Sequence, residues 1–215
     1  VMPICPYHEE PSVTIYHGDC RQILPLLPKF DLLLTDPPYG IGRDGSKAST
    51  SSHGGRKAYD FLDWDKHRTP NWLIQMLIDA ADKHIIWGGN YFVGALPPAM
   101  KWLVWDKQQR IAGSDGELAW TSLDGALRIC TLNRVELMLD IAQHPTQKPE
   151  KLMRWCIAQA GEVTTILDPF AGSGTTGRAA KDLGKTAVLI EREERFCEIA
   201  AKRLSQEILP LHEWA

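Results

Sequence analysis

Val163-Thr164-Thr165-Ile166-Leu167 runs directly into Asp168-Pro169-Phe170-Ala171-Gly172-Ser173-Gly174-Thr175-Thr176, and this junction decides the fold class. A short β-branched and aliphatic run reads as a buried strand, and the glycines behind it read as a tight turn. Residues 177–183 then suit a helix and 186–190 a second strand, which ends in Glu191. Strand, turn, helix and strand in that order predict parallel pairing in an α/β sheet. The same order recurs near the start, with a strand over 12–20, a short helix over 21–27 and a strand at Asp31-Leu32-Leu33-Leu34-Thr35. The expected architecture is a mostly parallel, twisted sheet flanked by helices.

The strand at 31–35 stops at Asp36-Pro37-Pro38-Tyr39-Gly40. Two prolines fix their own φ angles, remove two backbone donors and push the residues before them towards extended conformations. A carboxylate, bare carbonyls and an aromatic ring then project from the tip of a rigid turn. That set suits a flat group bearing an amine: the oxygens accept its N–H bonds and the ring stacks on its face.

Composition bounds the rest. The chain has 215 residues, 44% hydrophobic and 24% charged, with a formal net charge of −3. It is expected to form one domain over 1–215, and a negative total means that any nucleic acid is held by a local patch. No apolar run approaches the roughly 20 residues that span a bilayer, so no membrane is expected as partner. Residues 1–5 lack the pattern of a signal peptide, and the five cysteines are scattered without a Cys-x-x-Cys pair. Both features favour a reducing cytoplasm and argue against a disulfide frame or a metal site.

Between the legible units, residues 41–68 form a Gly- and Ser-rich stretch carrying Arg43, Lys47, Arg56 and Lys57. A basic loop beside the proline turn is expected either to clamp a phosphate backbone or to be a solvated insertion. Helical spacing continues over 70–83, followed by strands at 84–87 and 101–105. Residues 107–134 are harder to read, with strands expected at 117–121 and 135–139. His144-Pro145-Thr146-Gln147-Lys148-Pro149 is a polar turn before a helix over 150–160, and a final helix places Phe196, Ile199, Ala200 and Leu204 on one face.

Gly172-Ser173-Gly174-Thr175-Thr176-Gly177 matches G-x-G-x-x-G between a strand and a helix, with Glu191 near the spacing expected for ribose hydroxyls. A nicotinamide- or flavin-dependent oxidoreductase is therefore one reading. Against it, Asp168 precedes the glycines, where a carboxylate facing the ligand would repel a pyrophosphate. A ligand with a cationic amino-acid head and a ribose suits Asp168 and Glu191 better, and S-adenosylmethionine is such a ligand.

Asp-Pro-Phe-Ala-Gly-Ser-Gly-Thr-Thr, Asp-Pro-Pro-Tyr-Gly and His-Pro-Thr-Gln-Lys-Pro together resemble the amino-group DNA methyltransferases. Their order, with Asp-Pro-Pro-Tyr first, resembles the circularly permuted β-class. Gly88-Gly89-Asn90, Trp105-Asp106-Lys107 and Glu117-Leu118-Ala119-Trp120-Thr121-Ser122 resemble its short, phage-like members. The resemblance implies a Rossmann-like methyltransferase fold, S-adenosylmethionine as cofactor and double-stranded DNA as partner, and it allows a homodimer. Asp168, Phe170, Ala171, Gly172, Ser173 and Gly174 would shape the cofactor pocket, and Glu191 would take the ribose hydroxyls. Asp19 and Cys20 would meet the adenine, while His144, Thr146 and Lys148 would hold the methionine end. Asp36, Pro37, Pro38 and Tyr39 would hold a flipped base. Asp36 favours adenine N6, because cytosine-N4 members more often carry Ser there; cytosine N4 stays open. Only 107–134 leaves room for target recognition. The rival classes are the oxidoreductase, a non-catalytic nucleic-acid module, and a methyltransferase of RNA or protein.

Overall fold

Alternation inside one strand explains why the sheet is covered on both faces. In β3 (Phe30–Thr35) successive side chains point to opposite sides. Leu32 and Leu34 enter one apolar cluster and Leu33 the other, all without solvent exposure. A strand buried on both faces must have helices on both faces, as in α/β proteins.

The structure is a computed structural model and describes residues 4–42, 66–108, 114–133 and 147–206. Before β3 come β1 (His8–Glu10), β2 (Val13–His17) and α1 (Cys20–Ile23), the last followed by a 3-10 turn at Leu24–Leu26. After it come α2 (Asn71–Asp79), β4 (Ala81–Trp87), a second 3-10 turn (Gly89–Tyr91), β5 (Trp102–Asp106), β6 (Gly116–Thr121) and β7 (Arg128–Thr131). The C-terminal part supplies α3 (Glu150–Gln159), β8 (Thr165–Asp168), α4 (Thr175–Asp182), β9 (Thr186–Glu191) and α5 (Glu194–Leu204).

The strands form one sheet in the order β1-β2-β9-β8-β3-β4-β6-β5-β7. From β2 to β4 every pairing is parallel, with Val13 opposite Ala187, Leu167 opposite Val188, Leu33 opposite Leu167 and Leu34 opposite Ile85. Antiparallel pairs lie outside that block: β1 on β2, and β6 between β4 and β5. β7 then pairs parallel with β5. Helices α3, α4 and α5 cover one face through Leu152, Cys156, Ala179, Ala180, Cys197 and Ala200. Helix α2 and α1 cover the other through Leu73, Ile74, Leu77 and Ile23.

Several boundaries differ from the sequence expectation. Helix α2 stops at Asp79, and 81–83 belong to β4 because Ala81 pairs with Phe30. Strands β1 and β7 were not expected. The described part of 107–134 supplies β6 and β7 to the main sheet. The strand expected at 135–139 and most of the loop 41–68 lie outside the described residues.

Gly174 shows how tightly the glycine turn is built. It caps α4 with φ at +77°, and a Cβ there would stand 2.7 Å from Cβ of Ala200 in α5. Left-handed backbone costs an L-residue about 1–2 kcal/mol, and the contact adds to it. Gly174→Ala should therefore lower stability by about 2 kcal/mol, or roughly 4–8 °C in a chain of this size. Thermal unfolding checks this, and an unchanged midpoint would contradict the packing described.

Candidate active site

Parallel register sets the site. Because β2, β9, β8 and β3 run in one direction, their carboxyl ends lie along one edge, where ligands bind in open α/β sheets. That edge presents Asp19 and Cys20 after β2, Asp36–Tyr39 after β3, the glycine turn after β8 and Glu191 at the end of β9. A cavity of about 400 Å³ opens there. Asp19, Cys20, Asp36, Pro38, Lys148, Asp168, Phe170, Ala171, Gly172, Ser173 and Glu191 all line it. Pro37, Tyr39 and Gly174 belong to the same two turns. His144, Thr146, Arg43, Lys47, Arg56 and Lys57 lie outside the described residues. No group of three or more metal-ligating side chains occurs among the described residues.

Asp168 is tied into the fold from three sides. It is 4% exposed, and its oxygens accept from Thr35 Oγ1 at 2.8 Å, Thr176 Oγ1 at 2.6 Å and the Phe170 amide at 3.2 Å. Burial pushes its carboxyl up to about 6, against the pull of those three donors. Asp168 thus ties β3, the glycine turn and α4 together at the wall of the cavity.

Glu191 is better placed for a ligand. One oxygen accepts from the Gly172 amide and the other from the Glu193 amide, both at 2.8 Å. A carboxylate offers about four lone-pair sites, so acceptor capacity remains. Burial raises its pKa, and the amides oppose that rise. Asp19 caps α1 through the Arg21 amide and is gripped by the Arg21 guanidinium, which holds its carboxyl low. The Cys20 thiol is pushed up to about 12, chiefly by burial.

The proline turn is braced from several sides. The Tyr39 hydroxyl donates to Asp36, and the Tyr39 ring stacks on Tyr91 at 4.8 Å between centroids and 14° between planes. Gly88 touches the same ring: its φ is +67°, and a Cβ there would fall 2.0 Å from the ring. The Pro38 carbonyl accepts from the Thr69 amide at 3.0 Å, and Arg68 donates to the Tyr91 carbonyl at 2.7 Å.

Lys148 has partners the sequence did not foretell. The residue lines the cavity, and its 8%-exposed ammonium donates to Asp36 and lies 3.0 Å from Glu117 of β6. Glu117 is also held by Lys107 at 2.5 Å. Burial raises Asp36 above the usual carboxylate range, Lys148 opposes this, and Glu117 adds to it. For Glu117 the effect of burial is more than offset by the two ammoniums, which bring its carboxyl down to about 2. Sequence reading assigned no role to Glu117, Thr35, Thr176 or Tyr91. Their partners lie on other strands and turns, and no local pattern announces them.

Comparison with known proteins adds independent findings. Residues 99–202 match the DNA methylase family N6_N4_Mtase. The chain is 25% identical to the Type II methyltransferase M2.LlaDCHI of Lactococcus lactis subsp. cremoris, over 94% of this chain and 92% of that protein. It is 27% identical to M.HinfI of Haemophilus influenzae, over 92% and 69%. Among solved structures, the M1.HpyAVI-SAM complex superposes with a TM-score of 0.62 at 24% identity, over 89% of this chain and all of that one. The cytosine-N4-specific PvuII DNA methyltransferase gives 0.62 at 14% identity, over 95% and 90%.

The buried Asp168 carries a pH signature. Its folded pKa, about 6, lies above that of an unfolded aspartate, about 3.9. The folded state therefore holds the proton longer, so stability falls as pH rises from about 4 to 6 and stays reduced above. Asp168→Asn keeps the shape without titrating, and the threonine hydroxyls can turn to suit an amide. Denaturant unfolding of both proteins should show the variant gaining on the parent across that window, by on the order of 2–3 kcal/mol at most. A constant difference would contradict the buried, ionisable placement.

Proposed function

We infer, from the premise that this chain belongs to the N6/N4 amino-group DNA methyltransferases, that it is a site-specific enzyme transferring a methyl group from S-adenosylmethionine to the exocyclic amine of a DNA base. Adenine N6 is the favoured target. The observation that carries this reading is the shared cavity, in which Asp36 of the proline turn and Glu191 beside the glycine turn line one space. Its volume of about 400 Å³ falls in the range of cofactor sites, roughly 300–1,000 Å³.

The cavity fits the cofactor. Glu191, with acceptor capacity left after its two amide bonds, would take the ribose hydroxyls. Asp19 and Cys20 would border the adenine, and the Phe170 to Ser173 turn would follow the ligand with its backbone. Bound there, S-adenosylmethionine supplies an electrophilic methyl group on a sulfonium.

The rest of the work falls to the proline turn. A base amine is a poor nucleophile because its lone pair is conjugated into the ring. Asp36 and the Pro37 carbonyl would accept its two N–H bonds, drawing the nitrogen towards a tetrahedral shape with its lone pair free. Pro38, whose carbonyl is bound by Thr69, would keep the turn rigid, and Tyr39 would stack on the base. Such help is orientation and fixed electrostatics, and no covalent intermediate is required. The Cys20 thiol, kept protonated by burial, is no nucleophile. Duplex DNA would have to yield its base by flipping, at a cost of a few kcal/mol. The expected phosphate contacts are Arg43, Lys47, Arg56 and Lys57. Cytosine also carries an exocyclic amine, and cytosine N4 is the second reading.

Two variants test the two halves of the cavity. Glu191→Ala should weaken S-adenosylmethionine binding by about 1.5–3 kcal/mol, the scale of a hydrogen bond to a charged group. Titration calorimetry on the folded variant measures it, and unchanged affinity would remove Glu191 from the cofactor site. Asp36→Asn can turn an NH2 towards the amine, setting donor against donor. It should bind S-adenosylmethionine normally yet lose roughly 10²-fold or more in methyl transfer, as loss of one electrostatic stabiliser does. Parental turnover in that variant would sink the mechanism.

A further inference from the structure

We propose that Glu117 is a positioning residue for Asp36: it takes charge of the Lys148 ammonium when Asp36 turns its oxygens to the incoming amine. The inference rests on the reading of Asp36 as the acceptor of that amine.

Both oxygens of Asp36 are engaged in the free protein, one by the Tyr39 hydroxyl and the other by Lys148. An amine that binds Asp36 shares those oxygens with the hydroxyl and the ammonium, and each bond it takes loosens their hold. Lys148 is 8% exposed, and a buried ammonium released without a partner is strongly disfavoured. Glu117 Oε2 lies 3.0 Å from the same ammonium. That oxygen is buried and already pairs with the ammonium, so Lys148 rests between two carboxylates. Lys107 holds the other Glu117 oxygen at 2.5 Å. The strand register, with Glu117 of β6 opposite Trp105 of β5, keeps the carboxylate in place. The ammonium can therefore lean from one carboxylate to the other without losing its counter-charge.

Among the described residues, the titratable groups that act on Asp36 are Lys148 from the segment before α3, Glu117 from β6, Tyr39 from its own turn and Asp168 from the end of β8. Lys107 stands behind Glu117. Since Glu117 raises the Asp36 carboxyl, removing its charge must move that carboxyl to lower pH. The same removal confines Lys148 to Asp36 and makes the carboxylate harder to free.

The test is Glu117→Gln. The expected result is a kcat lower by about tenfold or more, the scale of a modest positioning loss. The KM for S-adenosylmethionine should stay near the parental value, and the acid limb of the kcat profile should move to lower pH. Carbon-13 NMR of the Asp36 carboxyl, in the protein without substrate, should show the same downward shift. In a Lys148→Met background Glu117→Gln should add no further loss, because its action runs through Lys148. An unmoved Asp36 titration, or losses that multiply in the double variant, would overturn the proposal. A parent that methylates no DNA would defeat the functional reading instead, and the NMR titration would still decide this one. If Glu117→Gln does not fold, Glu117→Asp keeps the charge on a shorter arm. Reduced kcat with the parental acid limb then supports the proposal, and parental kcat overturns it.

Discussion

The hydrogen bond from Thr35 to Asp168 joins the ends of two adjacent parallel strands, and the site depends on that junction. Thr35 closes β3 immediately before the proline turn, and Asp168 closes β8 immediately before the glycine turn. Fixing one strand end against the other fixes both turns at once. Thr176 adds α4 to the same carboxylate, so the helix behind the glycines cannot shift without breaking a buried bond. Such a bond costs far more to leave unmade than it contributes when formed. Register and buried polar satisfaction therefore fix the separation between the two halves of the cavity.

Charge in this region is arranged with equal economy. Lys107, Glu117, Lys148 and Asp36 alternate in sign from the end of β5 to the tip of β3. Each inner member has an opposite charge on either side. Buried ion pairs seldom stabilise a fold more than apolar packing would, but a lone buried charge is severely unfavourable. The chain of charges is thus poor evidence of stability, and its effect is that no buried charge in this region stands without a counter-charge. Tyr39 adds to the constraint, with its hydroxyl on Asp36 and its ring in contact with Tyr91 and close to Gly88.

Much of this was legible in the sequence, and the failures have physical causes. The leucine run of β3 and the strand before the glycine turn declared themselves, since buried parallel strands read as continuous apolar runs. Strand β9 lies beside β2, Ala187 opposite Val13, so the first and last parallel strands of the chain are neighbours. Helix α2 was drawn too long because Ala81, Asp82 and Lys83 suit a helix, and only their pairing with β3 makes them strand. Strand β7 escaped because most of its side chains are exposed and show no alternation. The bracing role of Asp168 was not legible, although its place at the cavity was. Its donor Thr35 stands 133 residues away, a relation no local pattern encodes. The same holds for Lys148 and Glu117, which meet only after the sheet has formed.

The central claim is that one cavity brings a methyl donor to a base held by Asp36. Tritium transfer from labelled S-adenosylmethionine to unmethylated duplex DNA, followed by nucleoside analysis of the digested product, tests it most directly. The account predicts label in DNA, recovered as N6-methyladenine. Label in N4-methylcytosine would correct the base and leave the mechanism intact. DNA that stays unlabelled, with the folded protein binding S-adenosylmethionine, would contradict the account.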